Sequence, residues 1–347
     1  MEIDRSLREY GLVVLTGIDD MKSISDNSFK SAYELFSLDL QSKQQVSIQN
    51  DDTKFGRGYL GFGDESGIAA NFEPKEGYSY GDPSNSASTG RGLLGLPNRW
   101  PAGLSAQHIH TLGSLYDTDV AISKMIVQSL SELFTCEAGS MTLNEMADGG
   151  EQISLMRMFH YYHRQSDVVQ EHLKQQQADE QDAHSMLGSS PHTDWGFLTV
   201  ILADQVGGLQ FIPRGGSLLN AEDWVDVPFI PGSVVVNGGD YLSLVSRGVY
   251  HSPIHRVLSP GSSSSSESAA PAAVDRYSFV FFFYPSYASP VSKEEQEGEG
   301  STVAEVVAAG ESTYNTLLTL SQADASAAPN SFGDYVIRKW RGVYRRA

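Results

Sequence analysis

The sequence predicts a mostly β protein with flanking helices, on three observations. Between residues 153 and 284 the chain runs as short β-type segments, at 153–162, 197–203, 209–212, 224–229, 233–236, 254–258 and 277–284. Glycine and proline punctuate them, as at Gly207-Gly208, Pro231-Gly232, Gly238-Gly239 and Pro260-Gly261. Helical spacing lies before and after this stretch. Many short strands with frequent turns suit a sandwich, a jelly roll or a barrel.

The elements follow in order. The run Gly-Leu-Val-Val-Leu-Thr-Gly-Ile at 11–18 reads as a buried strand ending in glycine. Residues 26–36 space Phe29, Tyr33, Leu35 and Phe36 as a helix. From 106 to 134 apolar residues recur every three or four positions, among them Ile109, Leu112, Leu115, Ile122, Ile126 and Leu130. That spacing predicts one long or two stacked amphipathic helices. Helical patterns return at 302–320 and 335–344. Two segments look inserted. Residues 165–190 are polar and Gln-rich, and 260–274 carry an unbroken serine run from Ser262 to Ser266. Both have linker composition, too polar to pack. Residues 294–300 are acidic and read as a solvated loop. The expected organisation is one structural unit. A helical and mixed region, 1–150, packs on a catalytic core, 151–290, followed by C-terminal helices, 291–347.

Composition removes several functions. Lys and Arg total 24 against 43 Asp and Glu, a net charge of −19. A phosphate backbone would be repelled, so no nucleic acid is expected as partner, and the charge suits a monomer. The single cysteine, Cys136, excludes an intramolecular disulfide and a Cys-ligated cluster. No apolar run approaches the roughly 20 residues of a membrane span. The start, Met1-Glu2-Ile3-Asp4, lacks the basic and apolar regions of a signal peptide. The expectation is a cytoplasmic protein with no membrane partner.

Three motifs carry little. Gly90-Arg91-Gly92-Leu93-Leu94-Gly95 has dinucleotide-loop spacing, but no strand precedes it and Leu96-Pro97 follows. His108 and His110 stand two apart on a helical pattern and point to different faces. The basic end (Arg338, Lys339, Arg341, Arg345, Arg346) is either a set of cations favourable at a helix C-terminus or a pocket-closing tail.

One constellation carries chemistry. His192 and Asp194 sit two apart in Pro191-His192-Thr193-Asp194-Trp195-Gly196, and His255 follows downstream in Ile254-His255-Arg256-Val257. Two histidines and a carboxylate on one face of a metal leave the other positions open, the facial triad of non-haem Fe(II) oxygenases. His-x-Asp alone arises often by chance. Further on, Arg276-Tyr277-Ser278 opens the aromatic run to Tyr284. Residues i and i+2 of a strand share a face, so Arg276 and Ser278 can grip one carboxylate. The competing reading of Arg276 is a structural ion pair.

These motifs together resemble the iron(II)/2-oxoglutarate-dependent dioxygenases, in the branch containing isopenicillin N synthase. The resemblance covers most of the chain. It also takes in Glu9-Tyr10-Gly11, Gly58-Tyr59, Asn98-Arg99-Trp100-Pro101, Gly207-Gly208-Leu209-Gln210, Pro231-Gly232-Ser233 and Asn237-Gly238-Gly239-Asp240. It implies a double-stranded β-helix (jelly-roll) core. It implies iron held by His192, Asp194 and His255, and the distal carboxylate of 2-oxoglutarate held by Arg276 and Ser278, with O2 as second co-substrate. In Phe159-His160-Tyr161-Tyr162, Tyr162 takes the place of the family's co-substrate tyrosine, and His160 replaces the usual Asn. Asn237 and Asp240 are expected to shape a turn. The chain lacks the family's usual opening strand, the interval from His255 to Arg276 is long, and the segment before His192 is a candidate lid.

The activity implied is oxidation of an aliphatic C–H bond with conversion of 2-oxoglutarate to succinate and CO2. The outcome is hydroxylation, desaturation or ring closure as in the kainoid synthases. The substrate expected is a small secondary metabolite, anionic and amino-acid-derived. Arg157, Tyr161, Trp195, Phe282 and Tyr284 are its candidate contacts. Two other functions compete. One is an oxidase of the isopenicillin N synthase type, independent of 2-oxoglutarate. The other is a non-catalytic jelly-roll binding protein.

Overall fold

The computed structural model describes residues 2–50, 57–65, 72–83, 96–134, 141–148, 153–176, 187–261, 274–291 and 331–344. The N-terminal part runs α1 (Glu2–Glu9), β1 (Leu12–Leu15), α2 (Met21–Ser37), α3 (Leu40–Gln44), β2 (Gly58–Leu60), β3 (Lys75–Tyr80), α4 (Ala106–Leu133) and α5 (Leu143–Asp148). Then come β4 (Leu155–Tyr161), α6 (Asp167–Gln176), β5 (Leu187–His192), β6 (Leu198–Ala203), β7 (Leu209–Phe211), β8 (Val225–Asp226), β9 (Val234–Gly238) and α7 (Asp240–Val245). The chain ends with β10 (His255–Leu258), β11 (Arg276–Phe283) and α8 (Phe332–Tyr344).

Two antiparallel sheets face each other. The larger has the order β1-β9-β6-β11-β4-β3-β2 and the smaller β5-β10-β7-β8. Strands from the N-terminal part thus complete the core sheet, because β1 pairs with β9 and β3 with β4. Between the sheets lies an apolar cluster including Phe159, Tyr161, Ile201, Leu209, Phe211 and Val257. The outer face of the large sheet carries Phe279, Phe281 and Phe283, which join the cluster holding Leu112, Leu115, Ile122 and Ile126 of α4. Strand β11 is therefore covered on both faces, which explains its unbroken apolar reading. Its cavity-side positions, Arg276, Ser278, Val280 and Phe282, follow the period of two. This is the jelly-roll core with flanking helices that the sequence predicts.

Some local expectations change. The spacing over 106–134 forms a single helix, capped by the Ser105 hydroxyl, which accepts from His108 N at 3.4 Å. The segment 165–190 is not linker throughout. Helix α6 buries Val169 completely, and its His172 stacks on Phe72 with centroids 3.7 Å apart. Strand β5 pairs with β10. It is rich in small residues because there is no room for others: a Cβ on Gly188 would meet Tyr161 Cδ1 at 2.8 Å. The strand read at 11–18 forms as β1, at the edge of the large sheet. The expected helix at 302–320, the loop at 294–300, the serine run, Cys136 and the glycine motif at 90–95 lie outside the described residues. Among the described residues no helix is long and apolar enough to cross a membrane.

Candidate active site

His192 and His255 are direct cross-strand partners on β5 and β10, with ring centroids 4.3 Å apart. The chain turns after His192, and Asp194 comes back toward both rings. Its Oδ1 lies 3.8 Å from His192 Nε2, and its Oδ2 lies 3.6 Å from His255 Nε2. One ligand atom from each of the three lies within 4.8 Å of the others. The far ring nitrogens are engaged: His192 Nδ1 donates to Ser190 O at 2.7 Å and His255 Nδ1 to Pro253 O at 3.2 Å. Those bonds keep the proton on Nδ1 and aim both Nε2 lone pairs at one point. Burial, then the neighbouring His255, hold the His192 pKa down to about 4, so its imidazole is neutral at pH 7. Burial pushes the Asp194 carboxyl up, but His255, His192 and bonds from Thr199 and Asn237 outweigh it, and the carboxyl stays ionised. Two imidazoles and one carboxylate fit the Fe(II) of a facial triad.

Two residues expected to shape a turn support this centre instead. Asn237 is buried on β9, and its Nδ2 donates to Asp194 Oδ2 at 2.9 Å. Asp240 opens α7, and its backbone N–H donates to Asp194 O at 2.7 Å. Its carboxylate accepts from Thr193 Oγ1 at 3.1 Å and from Ser252 Oγ at 2.8 Å. It therefore bridges the segments that carry the two histidines.

A cavity of about 760 Å³, open solvent at its mouth included, extends from the triad between the sheets. Arg276 occupies one part of its wall and is 1 % exposed. Its Nε donates to Gly207 O at 2.6 Å, its Nη1 to Ser278 Oγ at 3.2 Å, and its guanidinium sits 4.8 Å from the Tyr161 ring centre. Among the described residues no carboxylate lies within 4.0 Å of it. The structural ion pair considered for Arg276 is thus absent there. A guanidinium buried without a carboxylate costs several kcal/mol unless a ligand supplies one (about 3–5). The distal carboxylate of 2-oxoglutarate fits that need.

The structure brings most sequence candidates together and displaces one. Arg157, Tyr161, Trp195, Phe282 and Tyr284 all line the cavity. Tyr162 does not; its hydroxyl donates to Glu76 Oε1 at 2.7 Å, away from the cavity. The tyrosine beside Arg276 is Tyr161, its register partner across β4 and β11. The reason is parity: neighbouring strand residues face opposite sides. Arg157 is ion-paired through Nη1 to Glu65 Oε2 at 2.6 Å. Glu65 and Lys75 also line the cavity, and no motif marks either in the sequence. Of the basic C-terminal residues, Lys339 places its ammonium 5.5 Å from the Trp195 ring centre. Burial lowers its pKa to about 8, against an opposing pull from Asp240.

Comparison with known proteins gives a consistent picture. Residues 154–285 match the model of the 2OG-Fe(II) oxygenase superfamily. Residues 1–103 match that of the N-terminal region of non-haem dioxygenases in morphine synthesis. A 2-oxoglutarate-Fe(II) type oxidoreductase of Aspergillus fumigatus is 28 % identical over 316 residues, covering 86 % of this chain and 82 % of the relative. The oxidoreductase hxnY of Emericella nidulans is 28 % identical over 81 % of this chain and 72 % of its own. Among solved structures, a full-length Neurospora crassa protein in complex with alpha-KG and thymine superposes with a TM-score of 0.68. It is 20 % identical and covers 99 % of this chain and 90 % of that one. A 2OG-Fe(II) oxygenase family protein of Caulobacter crescentus gives 0.62 at 23 % identity, over 85 % and 86 %.

Proposed function

Since this chain belongs to the 2OG-Fe(II) oxygenase superfamily and is a dioxygenase using Fe(II), 2-oxoglutarate and O2, we propose that it oxidises an aliphatic C–H bond of a small amino-acid-derived metabolite. Family membership sets aside the non-catalytic binding protein. The oxidase of the isopenicillin N synthase type belongs to the same family, and succinate formed in step with the oxidised substrate separates it from the proposed reading. The observation that carries the site assignment is the buried Arg276, with no carboxylate within 4.0 Å among the described residues, in the same cavity as His192, Asp194 and His255.

In this reading His192 Nε2, His255 Nε2 and one Asp194 oxygen hold the iron. Bound with 2-oxoglutarate and O2, the iron supplies an oxidant strong enough to take a hydrogen atom from an unactivated carbon. The protein supplies position. Arg276 and the Ser278 hydroxyl grip the distal carboxylate of the co-substrate, and the Tyr161 ring supports the guanidinium. Trp195, Phe282 and Tyr284 exclude water around the reacting carbon and hold it near the iron. How closely these residues hold that carbon to the metal site, and which neighbouring group of the substrate they place beside it, would decide between hydroxylation, desaturation and ring closure.

Arg157 and Glu65 present hydrogen-bond donors and an acceptor side by side on the cavity wall. That suits a molecule carrying both a carboxylate and an ammonium group. The small-molecule part of the reading is supported by thymine in the Neurospora structure. A monomeric, cytoplasmic protein that leaves nucleic acid and membranes alone is part of the proposal, supported by the net charge of −19. The test is to incubate the iron-loaded protein with 2-oxoglutarate and fractions of amino-acid-derived metabolites, and to measure succinate and consumed O2. Succinate formed in step with one oxidised metabolite supports the reading. If a fraction without amino-acid derivatives alone drives turnover, the substrate class is wrong.

A further inference from the structure

We infer that Glu73 is a positioning residue for the iron site, acting on His192 through the Ser190 peptide. The inference rests on His192 being an iron ligand. Strand β5 lies at the edge of the small sheet and has β10 on one side only. Its ladder with β10 is irregular where it matters: His192 opposes His255, yet Ser189 opposes Val257, so Ser190 and Pro191 together face the single residue Arg256. This is a bulge, a device that re-aims the next side chain. Pro191 has no N–H to contribute, so the Ser190 N–H is the donor through which this corner can be held.

Glu73 holds it from the opposite sheet. Its Oε1 accepts from the Ser190 N–H at 2.8 Å, and its Oε2 accepts from Lys75 Nζ at 2.5 Å. All three residues are buried. The carbonyl of the same Ser190 accepts the His192 Nδ1–H at 2.7 Å. One residue thus has its N–H fixed by Glu73 while its C=O sets the tautomer and ring direction of His192. Lys75 belongs to β3 and lines the cavity, with its ammonium 5.2 Å from the Phe159 ring centre. Through Lys75 and Glu73 the large sheet therefore braces β5, the edge strand of the opposite sheet that carries His192. Outer partners of metal-ligating histidines commonly tune affinity by about 10- to 100-fold.

The test uses Co(II), titrated anaerobically into the full-length metal-free protein and followed by its visible absorption. Melting of the metal-free form reports the fold separately. Two double variants both remove the ion pair, E73Q/K75M and E73A/K75M. They differ in one respect: the Gln carboxamide oxygen can still accept from the Ser190 N–H. The expected result is a Kd for E73Q/K75M close to wild type, with E73A/K75M weaker by about 10- to 100-fold. Equal Kd values for the two doubles would overturn the inference, because the Ser190 bond would then not matter to the metal. Should E73A/K75M fail to fold, Glu73→Asp carries the test. It keeps the charge but is one methylene too short to reach both partners. Weaker Co(II) binding by a normally melting Glu73→Asp supports the inference, and unchanged binding overturns it. A wild-type protein that binds no Co(II) removes the ligand assignment and the inference with it. Wild-type binding with equal doubles removes the inference alone.

Discussion

The side-chain amide of Asn237 donates to Asp194 Oδ2 at 2.9 Å, and both residues are buried. The bond crosses from β9 to the turn that carries the carboxylate, so the oxygen directed at His255 has a fixed direction. Asn237→Ala leaves the Asp194 carboxylate held by the Thr199 hydroxyl without its Asn237 partner, and so loosens its aim. The expected outcome is a rise of about 10- to 100-fold in the Fe(II) concentration needed for half-maximal activity. Titrating activity with iron for both proteins checks it, and the metal-free variant should keep its secondary structure by circular dichroism.

In the proposed site Arg276 would provide the charge that the co-substrate answers. Truncating one partner of a buried charge pair costs about 2–5 kcal/mol. Arg276→Ala should raise the KM for 2-oxoglutarate by at least one order of magnitude, with the substrate KM little changed. Arg276→Lys should fall between, since it keeps the charge but not the two-pronged geometry. Initial rates over a 2-oxoglutarate series distinguish the three proteins.

Tyr161 and Tyr162 make a paired prediction. The Arg276 guanidinium lies 4.8 Å from the Tyr161 ring centre, whereas the Tyr162 hydroxyl bonds to Glu76. Losing a desolvated cation–π contact costs about 1–2 kcal/mol, so Tyr161→Ala should raise the 2-oxoglutarate KM roughly 5- to 30-fold. Tyr161→Phe should change it little. Tyr162→Phe should leave that KM alone and lower the urea midpoint, because it strips a donor from a buried carboxylate.

His160 links stability to pH. Its Nδ1 faces Glu76 Oε1 and its Nε2 faces Asp275 Oδ2, each at 2.8 Å. Burial works to lower its pKa, but the two carboxylates outweigh burial and raise it above the usual value. The folded value exceeds the unfolded one of about 6.5, so its stabilisation is complete below pH 6.5 and fades as pH rises through the raised value. Urea midpoints of the wild type should therefore fall across that interval. His160→Gln should be less stable by about 3 kcal/mol at pH 6 and show a flatter profile.

Asp119 predicts a second slope. It is 1 % exposed on α4, and among the described residues neither carboxylate oxygen has a hydrogen-bond partner. Burial pushes its pKa well above the ordinary 3.8. The folded protein keeps this proton after the unfolded chain has lost it, so stability falls as pH rises above about 4. Asp119→Leu, similar in size, should remove that decline and raise stability at pH 8 by about 1–3 kcal/mol. Denaturant titrations at pH 5 and pH 8 measure the difference.

Legibility in the sequence followed local cause. The runs at 197–203 and 277–284 announce β6 and β11 because both faces are buried and nearly every position is apolar or aromatic. His192, Asp194, His255 and Arg276, which the structure brings to one cavity, stand out in the sequence because metal and carboxylate chemistry would demand particular residue types at fixed strand positions. Strand β3, Lys-Glu-Gly-Tyr-Ser-Tyr, was not. Its Lys75 and Glu76 are tolerated inside only because Glu73, Lys43 and His160 pair with them, and a strand pattern does not announce such partners. The same holds for Glu65, which meets Arg157 across the cavity wall. Tyr162 was placed at the site by likeness, while the end of β4 at Tyr161 decides which ring faces in. Polarity hid α6 and β5, since one buried Val169 and a run of small residues give no periodic signal.

The most direct test of the assembled site is an anaerobic spectrum. Metal-free protein is loaded with Fe(II), 2-oxoglutarate is added, and the visible metal-to-ligand charge-transfer band is recorded for wild type, Arg276→Ala and His192→Ala. The expected result is a band in wild type, the same band in Arg276→Ala only at far higher 2-oxoglutarate, and none in His192→Ala. A band of equal affinity in Arg276→Ala, or an unchanged one in His192→Ala, would contradict the site assembled from these residues.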